Sequence, residues 1–158
     1  MRETKTNVMR ILESWHIPYQ AHQYEAKGPV DGVTVAERLG IPVQKVYKTL
    51  VTHDEKGQCY VFVIPCHKEL DLKKAAASVG VKSVSMLAVK DLQRLTGYIR
   101  GGCSPIGMKK SYPTVLDQSA AGLQAFLVSA GRIGRQVELS PTELAARLPA
   151  SFASICHS

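Results

Sequence analysis

The middle of the chain holds two runs of β-branched and aromatic residues that are close enough to pair as a hairpin. They span residues 46–52 and 58–64, and the turn between them contains Asp54-Glu55-Lys56-Gly57. The glycine is free to adopt the positive φ angle that a tight hairpin connection needs. This segment therefore predicts a pair of antiparallel strands near the centre of the fold.

Apolar spacing and capping residues predict helices on both sides of this hairpin. Residues 4–15 carry apolar side chains at helical spacing, and Pro18 stops that helix. Thr34 and Glu37 form a capping box, in which each side chain can satisfy a backbone group at the start of a helix. Further helix signals lie at Asp71, at residues 89–95, and at a second capping box formed by Ser140 and Glu143.

The remaining strand signals are short and follow no regular order. They lie at residues 19–24, 81–86, 98–100, 114–117, 126–129 and 137–139. No repeating strand–helix–strand unit is present, which favours a mixed sheet over a regularly wound parallel one. We expect an α+β fold, with a mixed, barrel-like β-sheet surrounded by short helices in a single domain over residues 1–158.

The composition is that of a folded protein with an anionic partner. Of the 158 residues, 45% are hydrophobic, which is too high for a disordered chain. No apolar run approaches the roughly 20 residues of a membrane span, and charges interrupt the N-terminal segment, unlike a signal peptide. The formal net charge of +7 favours an anionic partner. We therefore expect a cytoplasmic protein with no membrane partner.

Much of the positive charge coincides with glycine-rich backbone. Between residues 82 and 110 a single acidic residue, Asp91, faces six basic ones. They are Lys82, Lys90, Arg94, Arg100, Lys109 and Lys110. The segment also contains four glycines and Tyr98, and Arg132 and Arg135 repeat the combination beside two further glycines. A run of lysines is usually only a solvated face, but interleaving with glycine and an aromatic residue indicates a phosphate-binding surface.

The cysteines indicate neither a metal site nor a disulfide framework. Cys59, Cys66, Cys103 and Cys156 match no zinc-binding template in their spacing. Two of them are followed directly by histidines, but adjacent side chains on a strand point to opposite faces, which argues against shared ligation. We expect reduced, mostly buried thiols, no metal and no cofactor.

Lys48 is the strongest anomaly in the pattern. Alternation along its strand places Val46, Lys48 and Leu50 on one face, so a cation lies between two apolar neighbours. The pattern alone favours a lysine that extends along the sheet edge to water. If the face instead borders a cavity, the ammonium is a fixed positive charge for a carbonyl oxygen or a phosphate.

Two small-residue loops are weaker candidates for a site. Consecutive glycines within residues 101–107 let backbone N–H groups approach an anion, and residues 129–134 form a similar loop, although each alone is more often a tight turn. Hydrolase templates are absent, since there is no nucleophile elbow and no histidine with a motif around it. Nothing beside Cys103 in the sequence indicates a lowered pKa, so it is not predicted to be a nucleophile.

Taken in order, these segments resemble the bacterial YbaK/EbsC family. The resemblance covers nearly the whole chain and rests on Tyr24, VYKTL at 46–50, DLKK at 71–74, TGYIRGGCSPIGMKK at 96–110 and VSAGRIG at 128–134. It implies the fold of the editing domain that is inserted in some prolyl-tRNA synthetases. It also implies the activity of free-standing Cys-tRNA(Pro) deacylases, which remove cysteine mischarged onto tRNA(Pro). By the family's proposed route, the cysteine thiol attacks its own ester carbonyl and leaves as a thiolactone.

The resemblance also implies roles for individual residues. Lys48 takes the family's essential lysine position and would bind the 3′-terminal end of the substrate by its charge. This role replaces the interpretation of Lys48 as a lysine that extends along the sheet edge to water. The implied substrate-binding residues are Tyr24, Thr49, Gly101, Gly102, Ser129 and Gln136, with Gly101 and Gly102 acting through their backbone. The candidates for tRNA phosphate contacts are Arg100, Lys109, Lys110 and Arg132.

Two positions depart from the family's pattern. Gln136 stands where the family often has Asp, and Ala130 where Gly is common. The lost carboxylate leaves two alternatives open: deacylation of alanine or another small amino acid, and a non-catalytic tRNA- or synthetase-binding module, although a degenerate module has no need of Lys48. The implied partners are mischarged tRNA(Pro) and a complex with prolyl-tRNA synthetase, with no DNA partner.

Overall fold

Short helices and strands alternate irregularly along the computed structural model, which describes residues 4–25, 27–28 and 31–158. The helices are α1 (Asn7–Ser14), α2 (Gly32–Leu39), α3 (Leu72–Ser78), α4 (Val89–Thr96) and α5 (Pro141–Arg147). The strands are β1 (Tyr19–Gln23), β2 (Tyr47–His53), β3 (Cys59–Pro65), β4 (Ser85–Met86), β5 (Thr114–Asp117), β6 (Phe126–Ser129), β7 (Arg135–Leu139) and β8 (Ala150–Ala153). The predicted α+β class is confirmed. Within these described ranges, no helix has the length and hydropathy needed to cross a membrane.

The predicted hairpin forms the centre of a five-stranded sheet with the order β4-β2-β3-β5-β8. β2 and β3 pair antiparallel, with Lys48 opposite Ile64, and Gly57 in the connecting turn has a φ of +86°. On its other side β3 pairs in parallel with β5, which pairs in parallel with β8. The sheet is therefore mixed, as expected.

Two hydrophobic clusters cover the two faces of β3, and every residue of that strand is buried. Val61 and Val63 belong to the larger cluster, which also contains buried residues of α1, β6 and β7. Phe62 and Ile64 belong to the second cluster, with Ala75 of α3. Fully burying one such large side chain contributes about 1.5–3 kcal/mol relative to leaving it exposed. The hairpin is thus held by packing on both faces, and its position is well defined.

A three-stranded antiparallel sheet with the order β1-β7-β6 lies beside the first. Alternation along β7 places Val137 and Leu139 in the larger cluster and turns Gln136 and Glu138 to the opposite face. One face of this small sheet therefore belongs to the core, and the other carries polar side chains.

The two sheets meet at one corner. A parallel bridge between Val46 and Leu127 joins the start of β2 to β6. Among the described strands no continuous ladder runs from one sheet into the other. The sheet expected to be barrel-like is therefore an open pair of sheets, and the corner leaves space between them.

The capping residues predicted from the sequence mark the starts of two helices, and one predicted capping box is wrong. The Ser140 hydroxyl accepts a hydrogen bond from the Glu143 N–H at the start of α5, and Asp71 caps α3, both as predicted. The capping box at Thr34 is wrong. Asp31 is the N-cap of α2, and its carboxylate accepts from the Thr34 N–H at 2.9 Å, so the helix already contains Thr34 within its first turn.

Some strand predictions also differ from the structure. Residues 98–100 lie in a loop and not in a strand. Tyr98 is held there by two hydrogen bonds, from its N–H to the Thr96 hydroxyl at 3.1 Å and from its hydroxyl to the Ile106 carbonyl. The strand predicted at 81–86 shortens to Ser85–Met86. β8 was not predicted, because its short segment is held in extended form by pairing with β5 and not by its own pattern.

A buried carboxylate ties the end of β5 to the C-terminal segment. Asp117 accepts from the Ser119 hydroxyl at 2.6 Å, from the Ser119 N–H at 3.1 Å and from the Ile155 N–H at 3.2 Å. Because Ser119 donates its proton to Asp117, the Tyr47 hydroxyl at 2.7 Å donates to Ser119. Burial raises the pKa of Asp117, but the hydrogen bonds outweigh it and the pKa lies below its usual value.

We predict that Asp117→Asn lowers the free energy of unfolding by about 1–3 kcal/mol at neutral pH, because buried donors lose a charged acceptor. A depressed native pKa contributes stability above the unfolded-state pKa of about 3.9, and this stability is lost as the pH falls through the native pKa. The variant should therefore lose less stability than the wild type on acidification. Urea denaturation followed by circular dichroism, at neutral pH and at about pH 2.5, well below the unfolded-state pKa, measures both effects. Asp91→Asn on α4, a partly exposed carboxylate paired with Arg94, serves as the control, and equal stability of Asp117→Asn and wild type would contradict the prediction.

Candidate active site

A cavity of about 630 Å³ opens at the corner where the two sheets meet. Its walls come from the start of β2, the facing ends of β6 and β7, the start of α2 and the loop after α4. Of the residues named from the sequence, it brings together Tyr24, Lys48, Thr49, Arg100, Gly101, Ser129 and Gln136. These residues are scattered over more than 100 positions of the chain, and only the corner places them side by side.

Lys48 lies on the cavity wall, half-buried. Within the described residues, no acceptor lies at hydrogen-bond or ion-pair distance from its ammonium. Its charge acts on the neighbouring Cys66 thiol. Such a half-buried cation is available to an anionic or carbonyl oxygen of a ligand. Of the two alternatives that the alternation pattern allowed, an edge lysine or a lysine beside a cavity, the structure has the second.

Two buried polar atoms of the cavity-lining residues also lack a partner in the part of the chain that the structure describes. Gln136 is 6% exposed, and neither its Oε1 nor the Thr49 Oγ1 has a hydrogen-bond partner. Leaving a buried polar group unsatisfied costs about 1–3 kcal/mol, so such groups are rare in folded proteins. Both residues line the same cavity, which makes their part of the wall the candidate binding surface for a hydrogen-bond donor.

Ser129 and Tyr24 flank Gln136. Ser129 stands directly opposite Gln136 on the neighbouring strand, and its Oγ accepts from the Gly131 N–H at 3.1 Å, which leaves the hydroxyl proton to donate elsewhere. Tyr24 is buried just after β1, and its N–H donates to the Gly134 carbonyl at 3.0 Å. Both contacts fix the loop of residues 129–134 against the cavity wall.

The two glycine-containing loops pack against each other. A Cβ on Gly102 would come within 3.2 Å of the Ile133 nitrogen, so glycine permits the close approach of the two backbones. Gly101 has a φ of +89° and lines the cavity. Gly102 does not line it, and its N–H donates to the Ile99 carbonyl at 3.0 Å. The backbone contact expected from Gly102 is therefore already used within the protein, and its contribution is close packing.

Cys66 and Cys103 line the cavity as protonated thiols. Burial raises the pKa of Cys103 to about 12. Burial also raises the pKa of Cys66, against the opposing effect of Lys48. Because the thiolate is the nucleophilic form, neither side chain supplies a nucleophile at neutral pH. Gly32 makes room for Cys66, since a Cβ at that position would overlap the Cys66 Cβ.

The predicted phosphate-binding residues lie at different distances from the cavity. Arg100 lines it, and Arg132 follows Gly131 in the neighbouring loop. Lys109 donates from Nζ to the Arg94 carbonyl at 3.3 Å, and Lys110 lines a separate cavity of about 140 Å³. Of these four residues, Arg100 is the one that lines the cavity.

Asp31, Tyr47 and Cys66 also line the cavity and were not among the predicted site residues. Asp31 caps α2 and contributes a carboxylate to the wall, Tyr47 precedes Lys48 on β2, and Cys66 follows the end of β3. An acidic residue directly before a helix was the available signal for Asp31. Across residues 4–25, 27–28 and 31–158, no group of three metal-ligating side chains is present.

Comparison with known families identifies the class of protein that has this cavity. The family model for the aminoacyl-tRNA editing domain matches residues 30–146. This stretch includes Lys48, both glycine-containing loops and Gln136. The chain belongs to the aminoacyl-tRNA editing domain family, and the YbaK/EbsC resemblance is confirmed.

Two named relatives and one solved structure show which members of this family the chain is similar to. EbsC of Enterococcus faecalis, inferred to be a Cys-tRNA(Pro)/Cys-tRNA(Cys) deacylase, is 46% identical over 154 residues, which are 97% of this chain and 94% of EbsC. The proline–tRNA ligase of Ralstonia pickettii is 32% identical over 100 residues, which are 61% of this chain and 17% of the ligase. The crystal structure of a proposed trans-editing enzyme for prolyl-tRNA synthetase has the same fold, with a TM-score of 0.82, 24% identity and 100% coverage of both chains.

Proposed function

We propose that this protein is a trans-editing aminoacyl-tRNA deacylase that removes cysteine mischarged onto tRNA(Pro). The observation that carries the proposal is a cavity lined by Lys48, Thr49 and Gln136, whose ammonium and side-chain oxygens have no polar partner among the described residues. A module that only binds tRNA by its surface gains nothing from these costly groups. The similarity to EbsC supports the same activity. The whole of residues 1–158 would act as one domain, in the cytoplasm, without a metal or cofactor.

The substrate itself would supply the nucleophile. The thiol of the esterified cysteine attacks its own carbonyl carbon, a C–S bond forms, and the C–O bond to the terminal ribose breaks. The thiol proton passes to the departing ribose oxygen, which leaves a cyclic thiolactone and a tRNA with a free hydroxyl. This route suits a cavity whose own thiols, Cys66 and Cys103, remain protonated.

The protein would position the ester and stabilise the charge that develops on its carbonyl oxygen. The Lys48 ammonium attracts the terminal end of the tRNA and this oxygen, and a fixed charge in a partly dehydrated site stabilises a transition state more than it would in water. The Ser129 hydroxyl donates a hydrogen bond from the opposite wall, and Gly101 presents its backbone. Together they hold the substrate in the bent geometry that cyclisation requires.

Gln136 and Thr49 would bind the substrate's α-amino group. Their unpartnered oxygens accept hydrogen bonds from an amine in either protonation state. The carboxylate that the family often has at position 136 would add an attractive charge, which a carboxamide lacks. Alanine or another small amino acid is therefore the second candidate substrate, and Gln136 is the observation that favours it.

The basic surface would bind the tRNA backbone. Arg100 lies at the cavity and would contact the acceptor end, whereas Lys109, Lys110 and Arg132 would contact phosphates further along. Such contacts carry little sequence information. Selection of tRNA(Pro) would therefore depend on a complex with prolyl-tRNA synthetase.

We predict that Lys48→Ala abolishes deacylation of Cys-tRNA(Pro) while the fold remains intact. The side chain is half-buried and has no hydrogen bond or ion pair with the described residues, so its loss removes a charge from the cavity without breaking a polar contact among them. Release of labelled cysteine measures activity, and thermal denaturation measures the fold. Lys56→Ala, in the exposed turn between β2 and β3, is the matched control. Full activity of Lys48→Ala would falsify the site assignment.

The substrate thiol provides a second prediction. Release of serine from Ser-tRNA(Pro) should be slower than release of cysteine by at least about 100-fold if the nucleophile comes from the substrate and is held in place by the enzyme. Single-turnover assays with cysteine, serine and alanine on the same tRNA measure this ratio. Equal rates for serine and cysteine would point to an activated water, and faster release of alanine would favour the second candidate substrate.

The basic surface predicts that tRNA binding weakens steeply with salt, because each neutralised phosphate releases counterions. Replacing Arg100, Lys109 or Lys110 by Gln should reduce the slope of log K against log[salt] by about 1 for each phosphate contact removed. Fluorescence anisotropy with uncharged tRNA(Pro) over a KCl series measures the slope, with Lys56→Gln as the control. An unchanged slope would exclude that residue from the tRNA footprint.

A further inference from the structure

A single carboxylate on β7 joins two segments that lead directly into the cavity wall. Glu138 on β7 accepts from Lys45 Nζ through Oε2 at 2.9 Å, and His22 Nε2 on β1 lies 2.8 Å from its Oε1. Lys45 ends the short 3₁₀ turn Val43–Lys45 that leads into β2. We call these three residues the Glu138 clamp.

Each member of the clamp lies close in sequence to a cavity-lining residue. Lys45 precedes Lys48 by three residues, and His22 precedes Tyr24 by two. Glu138 follows Gln136 by two residues on the same strand, so the two side chains share a face. His22 also stands directly opposite Gln136 in the sheet register. A movement of the clamp would therefore move the lysine wall of the cavity relative to the Gln136 wall.

The clamp is sheltered enough to hold these elements. The side chains of His22 and Glu138 are 17% and 18% exposed, and that of Lys45 is 33% exposed. Such partly buried ion pairs are screened less by salt than exposed ones. Hydrogen bonding from Lys45 is the largest of the effects that hold the pKa of Glu138 below its usual value, so the carboxylate remains ionised at neutral pH.

The Glu138–Lys45 ion pair lies beside the bridge between Val46 and Leu127. Lys45 is adjacent to Val46, and Glu138 lies opposite Leu127 on β7. Both sheets also contribute buried side chains to the larger hydrophobic cluster, which holds them together on their inner faces. The ion pair adds a polar contact at the corner, where Lys45 leads into β2.

We propose that Glu138 is a positioning residue that sets the distance between Lys48 and the Ser129–Gln136 wall by clamping Lys45 and His22. This inference rests on the proposed deacylase activity for its kinetic readout. Glu138 acts through its neighbours, since it does not line the cavity. Loss of the clamp should impair positioning of the ester and leave the distant tRNA-binding surface unchanged.

The kinetic test uses Glu138→Gln, Lys45→Met and the double variant. We expect kcat for deacylation to fall about tenfold or more in each, because a small displacement of positioned groups is costly in rate, with KM within about twofold. The double variant should be no worse than Glu138→Gln, since that change already weakens the contact that Lys45→Met removes. Lys45→Arg, which keeps the ion pair, should restore most of kcat.

Glu13→Gln is the matched control. Glu13 also accepts from a lysine, Lys5 at 2.8 Å, and from a second donor, the Tyr19 hydroxyl at 2.6 Å, but it lies on α1 away from the cavity lining. It should leave kcat and KM unchanged. Thermal denaturation of all variants separates a loss of positioning from a loss of fold.

A readout independent of activity separates failure of the clamp from failure of the proposed function. Amide chemical shifts of Lys48 and Gln136 in nitrogen-15 spectra should change in Lys45→Met and Glu138→Gln, and not in Glu13→Gln. Unchanged shifts, kcat within twofold of wild type, or losses that multiply in the double variant would each overturn the clamp. A wild-type protein inactive on every aminoacyl-tRNA would overturn the proposed function, and the shifts would then decide the clamp alone.

Discussion

The position of β3 between β2 and β5 is the constraint on which the rest of the structure depends. Every residue of β3 is buried, so its backbone donors and acceptors need partners within the sheet. β2 provides them on one side and β5 on the other. The antiparallel register with β2 then places Lys48 opposite Ile64, near the end of β3. A residue at that end of β2 lies at the corner with β6 and not in the middle of a covered face.

The corner explains how a small domain of short elements holds a polar cavity. Its apolar faces are packed elsewhere, in the clusters on both sides of β3. The face of the small sheet that carries Ser129 and Gln136 is consequently free to line a cavity. Below it, Tyr47 is held through Ser119 by Asp117, which fixes the residue next to Lys48. The site combines rigid support with polar atoms that the protein leaves unsatisfied, a combination typical of a binding site formed before its ligand arrives.

Much of the local structure could be predicted from the sequence, because its causes are local. The hairpin, the strand at 126–129 and the caps at Asp71 and Ser140 follow from alternation, turn chemistry and side-chain hydrogen bonds within a few residues. The alternation around Lys48 showed that a cation shared a face with apolar residues. Strand β8 and the place of Asp31 in the cavity wall could not be predicted in this way. β8 depends on pairing with β5, and Asp31 lines the cavity together with residues distant in sequence.

The sequence by itself therefore determined most of the short elements, the basic balance, the family resemblance, and Lys48 with six further residues that line the cavity. Only the tertiary structure decided that two open sheets meet at Val46 and Leu127, that Gly102 packs loops together, and that Gln136 and Thr49 line a cavity with oxygens that have no partner among the described residues. The physical reason is that capping and alternation act between near neighbours in the chain. Cavity shape, unsatisfied hydrogen bonds and the Glu138 contact with Lys45 instead arise between segments about 90 residues apart, and only packing brings those segments into contact.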